Sequence, residues 1–213
     1  MSPSTPSTPA ANWTGLLASA AAHDINNLVH SFSIVEPAEW AACVEDCVDP
    51  LRKLGVRLRA LAAAGEAEAS ARLDDACTDA VTEADPADGR VLRGVLPRAG
   101  ARVRGTDAAV RTAIASLLEH ALAASPTGAA IRLDVRDARP GAVVVEIAAP
   151  EASGLGVIGV ARLDALLDTT LRDLRGDFSL VLAGAIADAV GGAVTLASSP
   201  EAGLRLALHL AAA

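Results

Sequence analysis

Five consecutive residues near the N-terminus, His23-Asp24-Ile25-Asn26-Asn27, combine side chains that could carry nucleophilic chemistry. An exposed histidine is mostly neutral at pH 7, which leaves one ring nitrogen free to attack an electrophile. Asp24 is adjacent and could orient the ring or hold its proton. Asn27 follows one helical turn later and could donate to a phosphoryl oxygen or to a partner's carboxylate. The pattern therefore predicts His23 as a nucleophile supported by Asp24 and Asn27.

A predicted amphipathic helix over residues 12–35 positions this group. Its apolar residues recur at spacings of three or four, namely Leu17, Ala21, Ile25, Leu28, Phe32 and Val35. At about 100° per residue, His23, Asn27 and His30 fall on one side of the helix, away from the apolar stripe. We expect His23 to be exposed there, with Asn26 and His30 contributing to a surface on which a partner protein docks.

A second helix is predicted after the break at Glu36-Pro37. Its apolar residues alternate between steps of four and three, as in a heptad repeat, through Trp40, Val44, Cys47, Leu51, Leu54, Leu58 and Leu61. Pro50 lies inside the pattern, so the helix is either kinked or divided there. Such a helical hairpin cannot bury both apolar faces alone, and pairing with a second copy into a four-helix bundle is the simplest remedy.

The rest of the chain alternates between helix and strand patterns. Helices are predicted over 72–84, 107–124, 161–174 and 178–190, and strands over 90–96, 131–135, 143–147, 193–197 and 204–210. This order favours an α/β sandwich with helices on one face of a sheet. We therefore expect an α+β protein with a disordered tail at 1–10, a helical hairpin at 11–65 and a second domain at 71–213.

The composition excludes several classes of function. The 213 residues carry a net charge of -8, from 18 Lys and Arg against 26 Asp and Glu, and no run of basic residues occurs. Direct nucleic-acid binding is therefore disfavoured. The three cysteines form neither a C-x-x-C pair nor an even-numbered framework, and neither a signal peptide nor a transmembrane segment is predicted. These features predict a cytoplasmic protein without a metal centre.

On these residues the chain resembles the histidine kinases of two-component signalling. Their phosphoacceptor helix carries His, then an acidic residue, with Asn or Thr at the fourth position after the His, as His23, Asp24 and Asn27 do here. Residues 107–125 resemble the helix that bears the family's N box, and residues 192–210 resemble its closing strands. The resemblance implies a dimeric four-helix bundle followed by a Bergerat-like ATP-binding sandwich.

The second domain departs from the family at the residues that bind nucleotide. Ser116 and His120 stand where the family has two Asn that hold Mg²⁺ and phosphates. The family's D-x-G-x-G would fall on residues 152–156, where the Asp is absent, and its later glycine-rich phosphate loop would fall on residues 176–180, without the glycines. His120 is a poor ligand for a hard cation, and we expect a surface or core histidine.

A chain that keeps the phosphoacceptor helix and loses the ATP site resembles the histidine phosphotransferases of the ChpT class. That resemblance implies a phosphorelay in which His23 accepts a phosphoryl group from one response-regulator receiver domain, such as that of an upstream hybrid kinase, and passes it to another. It implies no cofactor of its own, because the receiver supplies Mg²⁺. Two alternatives remain open: a scaffold that binds response regulators or kinases without catalysis, and a kinase with an unorthodox nucleotide site.

Overall fold

The structure, a computed structural model, describes residues 12–36, 39–66, 69–85, 89–95, 100–153, 155–169 and 177–213. The predicted disordered tail at 1–10 lies outside the described residues. Within the described ranges, no helix is both long enough and apolar enough to cross a membrane.

Two long helices begin the chain, α1 (Trp13–Ile34) and α2 (Trp40–Ala62). The side chain of Asn12 caps α1 by accepting a hydrogen bond from the backbone N–H of Gly15 at 3.0 Å. Pro50 lies inside α2, which continues through it as one helix. The alternative of a division at Pro50 is therefore wrong, although an interior proline removes one backbone hydrogen bond.

The remaining elements form a sandwich. They are, in chain order, β1 (Ser70–Arg72), α3 (Leu73–Ala84), β2 (Val91–Arg93), β3 (Arg102–Arg104), α4 (Asp107–Ala124), β4 (Ile131–Arg139), β5 (Ala142–Ala149), β6 (Ile158–Arg162), α5 (Leu163–Thr169), α6 (Phe178–Ala189), β7 (Ala193–Ser199) and β8 (Gly203–Ala211). The main sheet has six strands in the order β2-β4-β5-β8-β7-β6, and β1 pairs with β3 in a second, two-stranded sheet. The pairing of β2 with β4 is parallel and the other pairs in the main sheet are antiparallel.

The core lies between the main sheet and helices α3, α4 and α6. Alternating residues of the central strands point into it, as the burial of Ile131, Leu133 and Val135 on β4 shows. Helix α6 is buried almost all round because the sheet covers one side and helices α1, α2 and α4 contact others. The predicted α+β class, with N-terminal helices before a mixed α/β sandwich, is confirmed.

Three short segments differ from the sequence expectation. The helix predicted over 161–174 begins at Leu163, because residues 158–162 form β6 at the sheet edge, and residues 170–176 lie outside the described ranges. Strands β1 and β3 were not predicted. Each of these strands obtains its backbone hydrogen bonds from a segment distant in sequence, so local periodicity does not indicate it.

Candidate functional site

Helix α1 presents the predicted nucleophile to solvent. The side chains of His23, Asn26, Asn27 and His30 are exposed, whereas that of Asp24 is half-buried. One face of α1 is occupied by contacts with α6, through the buried Leu17 and Ala20, and this leaves the His23 side uncovered. The arrangement provides an accessible imidazole with a carboxyl group adjacent in sequence, and the catalytic and docking roles of these residues stay predictions.

Asp24 is turned into a cleft between the hairpin and the second domain. The cleft has a volume of about 360 Å³ and is lined by residues of α1, α2, α4 and α6: Asp24, Asn27, Leu28, Asp49, Pro50, Lys53, Leu54, Arg57, Glu119 and Phe178. Apolar walls and several charged groups therefore meet in a cleft that includes Asp24 and Asn27, both within one turn of His23 on α1. Charges in such a partly enclosed space interact more strongly than they would in bulk water.

The environment of Asp24 raises its pKa above the ordinary value of 3.8. Burial is the largest cause, because it disfavours the charged carboxylate. The charge of His23 opposes this shift, the carboxylate of Asp177 adds to it, and the guanidinium of Arg57 opposes it. Two residues remote in sequence thus act on the carboxyl group beside the predicted nucleophile.

An ion pair joins the hairpin to the second domain at this cleft. The guanidinium of Arg57 on α2 donates to a carboxylate oxygen of Glu119 on α4, and the other oxygen of Glu119 accepts from the hydroxyl of Ser179 at 3.3 Å. Arg57 is only 9% exposed, so its charge depends on this partner. Glu119 therefore receives hydrogen bonds from both sides of the contact between the two parts of the chain.

His120 and Asp177 form a second polar contact next to the first. The Nδ1 atom of His120 lies 2.6 Å from one carboxylate oxygen of Asp177, and the other oxygen accepts from the backbone N–H of Leu180 at 3.0 Å, which caps α6. Burial would raise the pKa of Asp177, but the hydrogen bond and charge of His120 and the backbone N–H groups of residues 179 and 180 lower it overall. The carboxylate is thus ionised and accepts, so Nδ1 of His120 carries the hydrogen.

Ser116 and His120 do not fit the role of magnesium ligands. Ser116 is fully buried, its hydroxyl makes no hydrogen bond to a described residue, and the His120 ring is already bound to Asp177. Mg²⁺ prefers oxygen ligands in an octahedral shell that retains water, which a packed core position does not allow. Among the described residues, no group of three or more His, Cys, Asp or Glu side chains is arranged to hold a metal ion.

The other two departures from the histidine kinase motifs fall partly outside the described residues. Gly154 in the segment 152–156 and Gly176 in the segment 176–180 are both outside them. In the described remainder of the second segment, Asp177 caps α6 and Phe178 is buried against the cleft. This start of α6 is therefore used for packing and capping.

Sequence reasoning missed Arg57, Glu119 and Asp177 as parts of this cluster. One signal was available for Asp177, because an aspartate directly before an apolar helix is a typical N-cap. No comparable signal marks Arg57, because the sequence does not distinguish this buried cation from the exposed cations of the same helix. None marks Glu119 either, because its partner is 62 residues away. Their pairing depends on how α2 packs against α4.

No protein-family model matches the sequence, and comparison with curated proteins gives no match. Among solved structures, the Acinetobacter baumannii histidine kinase AdeS aligns with a TM-score of 0.54 at 13% identity, over 94% of this chain and 95% of that one. Full-length ShkA in complex with AMPPNP aligns with a TM-score of 0.56 at 16% identity, over 94% of this chain and 44% of that one.

A third similar structure is the mycobacterial sensor histidine kinase MprB, with a TM-score of 0.50 at 12% identity, over 67% of this chain and 97% of that one. At these identities the likeness concerns the fold. It extends across the hairpin as well as the sandwich, because two of the three alignments cover 94% of the chain. The chain therefore has the fold of a histidine kinase, with N-terminal helices followed by a mixed α/β sandwich.

Proposed function

We propose that this chain is a phosphorelay histidine phosphotransferase that accepts a phosphoryl group on His23 from one response-regulator receiver domain and passes it to another without using ATP. The observation that carries the proposal is the exposed imidazole of His23 with the half-buried Asp24 beside it, on the first helix of a histidine kinase fold. Residues 11–65 are the phosphotransfer hairpin, and residues 71–213 are the degenerate ATPase-like domain.

The chemical step requires little from this chain beyond a positioned nucleophile. The unprotonated ring nitrogen of His23 attacks the phosphorus of the receiver's aspartyl phosphate, so a P–N bond forms while the P–O bond to the aspartate breaks. The aspartate carboxylate leaves on the receiver. The ring becomes a cation that retains its N–H, and Asp24 stabilises this charge. Transfer to a second receiver then breaks the P–N bond and forms a P–O bond to that receiver's aspartate.

The proposal that ATP is not used is supported by the residues at the N-box positions. Ser116 is sealed in the core and His120 is engaged by Asp177, so neither is available to a metal-bound triphosphate. The receiver would supply the Mg²⁺ for its own aspartyl phosphate.

Homodimerisation is the second part of the proposal. Large apolar side chains stay exposed on both hairpin helices, including Ile25 and Val29 on α1 and Val44, Leu51 and Leu58 on α2. An apolar surface of this kind on a monomer usually marks an interface. A second copy would cover it in a four-helix bundle, leaving Asn26, Asn27 and His30 near His23 for a receiver to contact.

The decisive experiment is label transfer from phosphorylated receiver domains to the purified protein, with radiolabelled ATP alone in parallel. We expect acid-labile label on the wild type from a receiver and none from ATP. His23→Ala should abolish the label because it removes the proposed nucleophile. Ser19→Ala, at an exposed position one turn earlier on α1, is the matched control and should be labelled normally.

The other outcomes distinguish the competing functions. Label from ATP alone would show a kinase, and persistent label on His23→Ala would remove His23 from the mechanism. Receiver binding without any label, equal for the wild type and His23→Ala, would identify a non-catalytic scaffold.

A further inference from the structure

The main sheet has an outer face, opposite the core helices, that carries several positive charges. Side chains that alternate with the core-facing ones point outward there. Five of them are exposed arginines, namely Arg132, Arg136 and Arg139 on β4, Arg162 on β6 and Arg205 on β8. We propose that this arginine face is a docking surface for an acidic segment of a partner protein. The inference concerns a surface separate from His23 and does not rest on the proposed function.

The strand register brings the arginines together around a floor of small side chains. Arg136 lies opposite Val144, which in turn lies opposite His209. Arg162 lies opposite Thr195 on the neighbouring strand. The other outward positions on β5, β7 and β8 are mostly alanines, namely Ala142, Ala148, Ala193, Ala197, Ala207 and Ala211. The long arginine side chains therefore stand around a flat floor on which an elongated segment can lie.

The charge of the arginine face is only partly compensated by its own carboxylates. Three arginines have acidic partners, in the pairs Arg132–Asp134 at 2.7 Å, Arg136–Glu146 at 2.9 Å and Arg162–Asp164 at 2.7 Å. Arg139 and Arg205 form no ion pair with any residue that the structure describes. Two positive charges thus remain uncompensated on this face, although the whole chain has a net charge of -8. A local charge opposite to that of the molecule favours a partner surface that is negative.

One end of the arginine face has a concavity that a carboxylate side chain could enter. It has a volume of about 670 Å³ and is lined by Arg139, Arg162, Thr195 and His209, together with the turn at residues 191–192. Burial lowers the pKa of His209, and the charges of two arginines of the face lower it further. The His209 ring is therefore neutral at pH 7, and the positive charge of the concavity comes from its two guanidinium groups.

The chemistry and size of the arginine face favour a protein segment that binds transiently. The exposed cations are all arginines, which bind carboxylates through two parallel hydrogen bonds and are enriched at protein interfaces. The five strands from β4 to β6 span about 20 Å, and their length is about 25 Å, which gives an area of about 500 Å². Each partner in a stable complex buries roughly 800 Å². We therefore expect a weak complex that salt weakens further.

Binding of a glutamate-rich peptide labelled with fluorescein tests the proposal on the whole protein. Fluorescence anisotropy should show saturable binding that weakens as salt is added, and a glutamine-rich peptide of the same length should not bind. Arg139→Gln with Arg205→Gln removes the uncompensated charges and should weaken binding about tenfold. Arg52→Gln with Arg59→Gln, at exposed positions on α2, changes the net charge equally and should weaken binding less than about twofold.

Backbone amide NMR signals locate the bound peptide. Signals of β4, β7 and β8 should shift on addition of the peptide, and those of α1 should stay in place. His23→Ala should bind the peptide as tightly as the wild type. A failure of label transfer to His23 would therefore leave this result unchanged, and a failure of peptide binding would leave the proposed phosphotransfer unchanged.

Several results would overturn the docking proposal. Equal affinities of the two double variants would show that net charge, not the arginine face, determines binding. Shifts confined to other elements would place the peptide elsewhere. Binding of anionic lipid vesicles or duplex DNA, without binding of the glutamate-rich peptide, would assign the face to a different class of partner.

Discussion

Asp177 has two roles at the start of α6. One carboxylate oxygen accepts the N–H of Leu180 and caps the helix, and the other accepts the Nδ1 hydrogen of His120. Both bonds favour the ionised form, so the pKa of Asp177 lies below its ordinary value although burial acts in the opposite direction. Asp177 thus joins the N-terminus of α6 to His120 on α4.

The bond to His120 predicts a pH-dependent contribution to stability. Asp177→Asn keeps a capping side chain but loses the charge, and it should lower the free energy of unfolding by about 1–3 kcal/mol at pH 7. A depressed carboxyl pKa gives stability that is present above the unfolded value and is lost as the pH falls through the folded value. The difference between wild type and variant should therefore shrink below about pH 4.

Urea unfolding at several pH values measures this difference. Asp177→Ala is the companion variant, because it also removes the cap and should cost about 1 kcal/mol more. A difference between wild type and Asp177→Asn that persists unchanged at pH 3 would show that the charge of Asp177 is not its source.

Helix α2 divides its heptad seam between two environments. Cys47 is buried and Leu54 and Leu61 are half-buried, whereas Leu51 and Leu58 are 46% and 41% exposed. Within one chain, therefore, only some of the apolar side chains of the heptad repeat are buried. The apolar stripe that remains is suited to a second copy, as coiled-coil packing requires.

The exposed positions predict how the dimer can be broken. Leu51→Glu or Leu58→Glu would bury an unpaired charge between two copies and should weaken association by more than about 100-fold. Each variant should keep its helix content, because the residue is exposed within a single chain. Light scattering at micromolar concentration, with Arg59→Glu as the outward-facing control, measures the state, and a wild-type monomer would contradict the two-copy bundle.

At the scale of the whole molecule, one contact between the hairpin and the sandwich is the packing of a tryptophan ring of α1 against a glycine of α6. The ring of Trp13, at the start of α1, lies on Gly184 in the middle of α6, and a Cβ atom added to Gly184 would come closer to the ring than real Cβ contacts allow. Glycine costs helix stability relative to alanine. The close approach of the Trp13 ring leaves no room for a side chain at position 184, which explains the glycine in the middle of this helix.

This contact predicts an unusual effect of a helix-favouring substitution. Gly184→Ala should destabilise the protein by about 1–3 kcal/mol, because the methyl group displaces the Trp13 ring, although alanine has the higher helix propensity. In a Trp40→Phe background, the emission of Trp13 should shift to longer wavelength as the ring becomes exposed.

A double-mutant cycle checks that Trp13 is the cause. In Trp13→Ala the space above α6 is open, so adding Gly184→Ala should cost little, and the two substitutions should couple by about 1 kcal/mol or more. Equal costs of Gly184→Ala with and without Trp13 would show that the strain arises elsewhere.

Local patterns in the sequence were sufficient for much of the fold. The spacing of apolar residues predicted both hairpin helices, α4 and α6, because a helix that covers a core must repeat its apolar side chains every three or four residues. The paired strands β4 with β5 and β7 with β8 were predicted because each pair is joined by a short turn. The same periodicity put His23 on the exposed side of α1.

Contacts between distant residues required the tertiary structure. Strands β1, β3 and β6 depend on partners far along the chain. The sequence left open whether α2 is kinked or divided at Pro50, and only the structure shows that it continues as one helix. The polar cluster at the cleft likewise depends on contacts between residues that are distant in sequence. Arg57 and Glu119 are 62 residues apart, and His120 and Asp177 are 57 apart.

The candidate site also combines features that local sequence predicts with features that only the tertiary structure creates. The sequence alone predicts a histidine, a carboxylate and an amide on one helix, because their spacing is local. Burial is the largest cause that raises the pKa of Asp24, and the smaller contributions of Asp177 and Arg57 come from residues that only the packing of the hairpin against the sandwich brings near it. Electrostatic interactions act through space, so residues far apart along the chain contribute to the pKa of the carboxyl group beside His23.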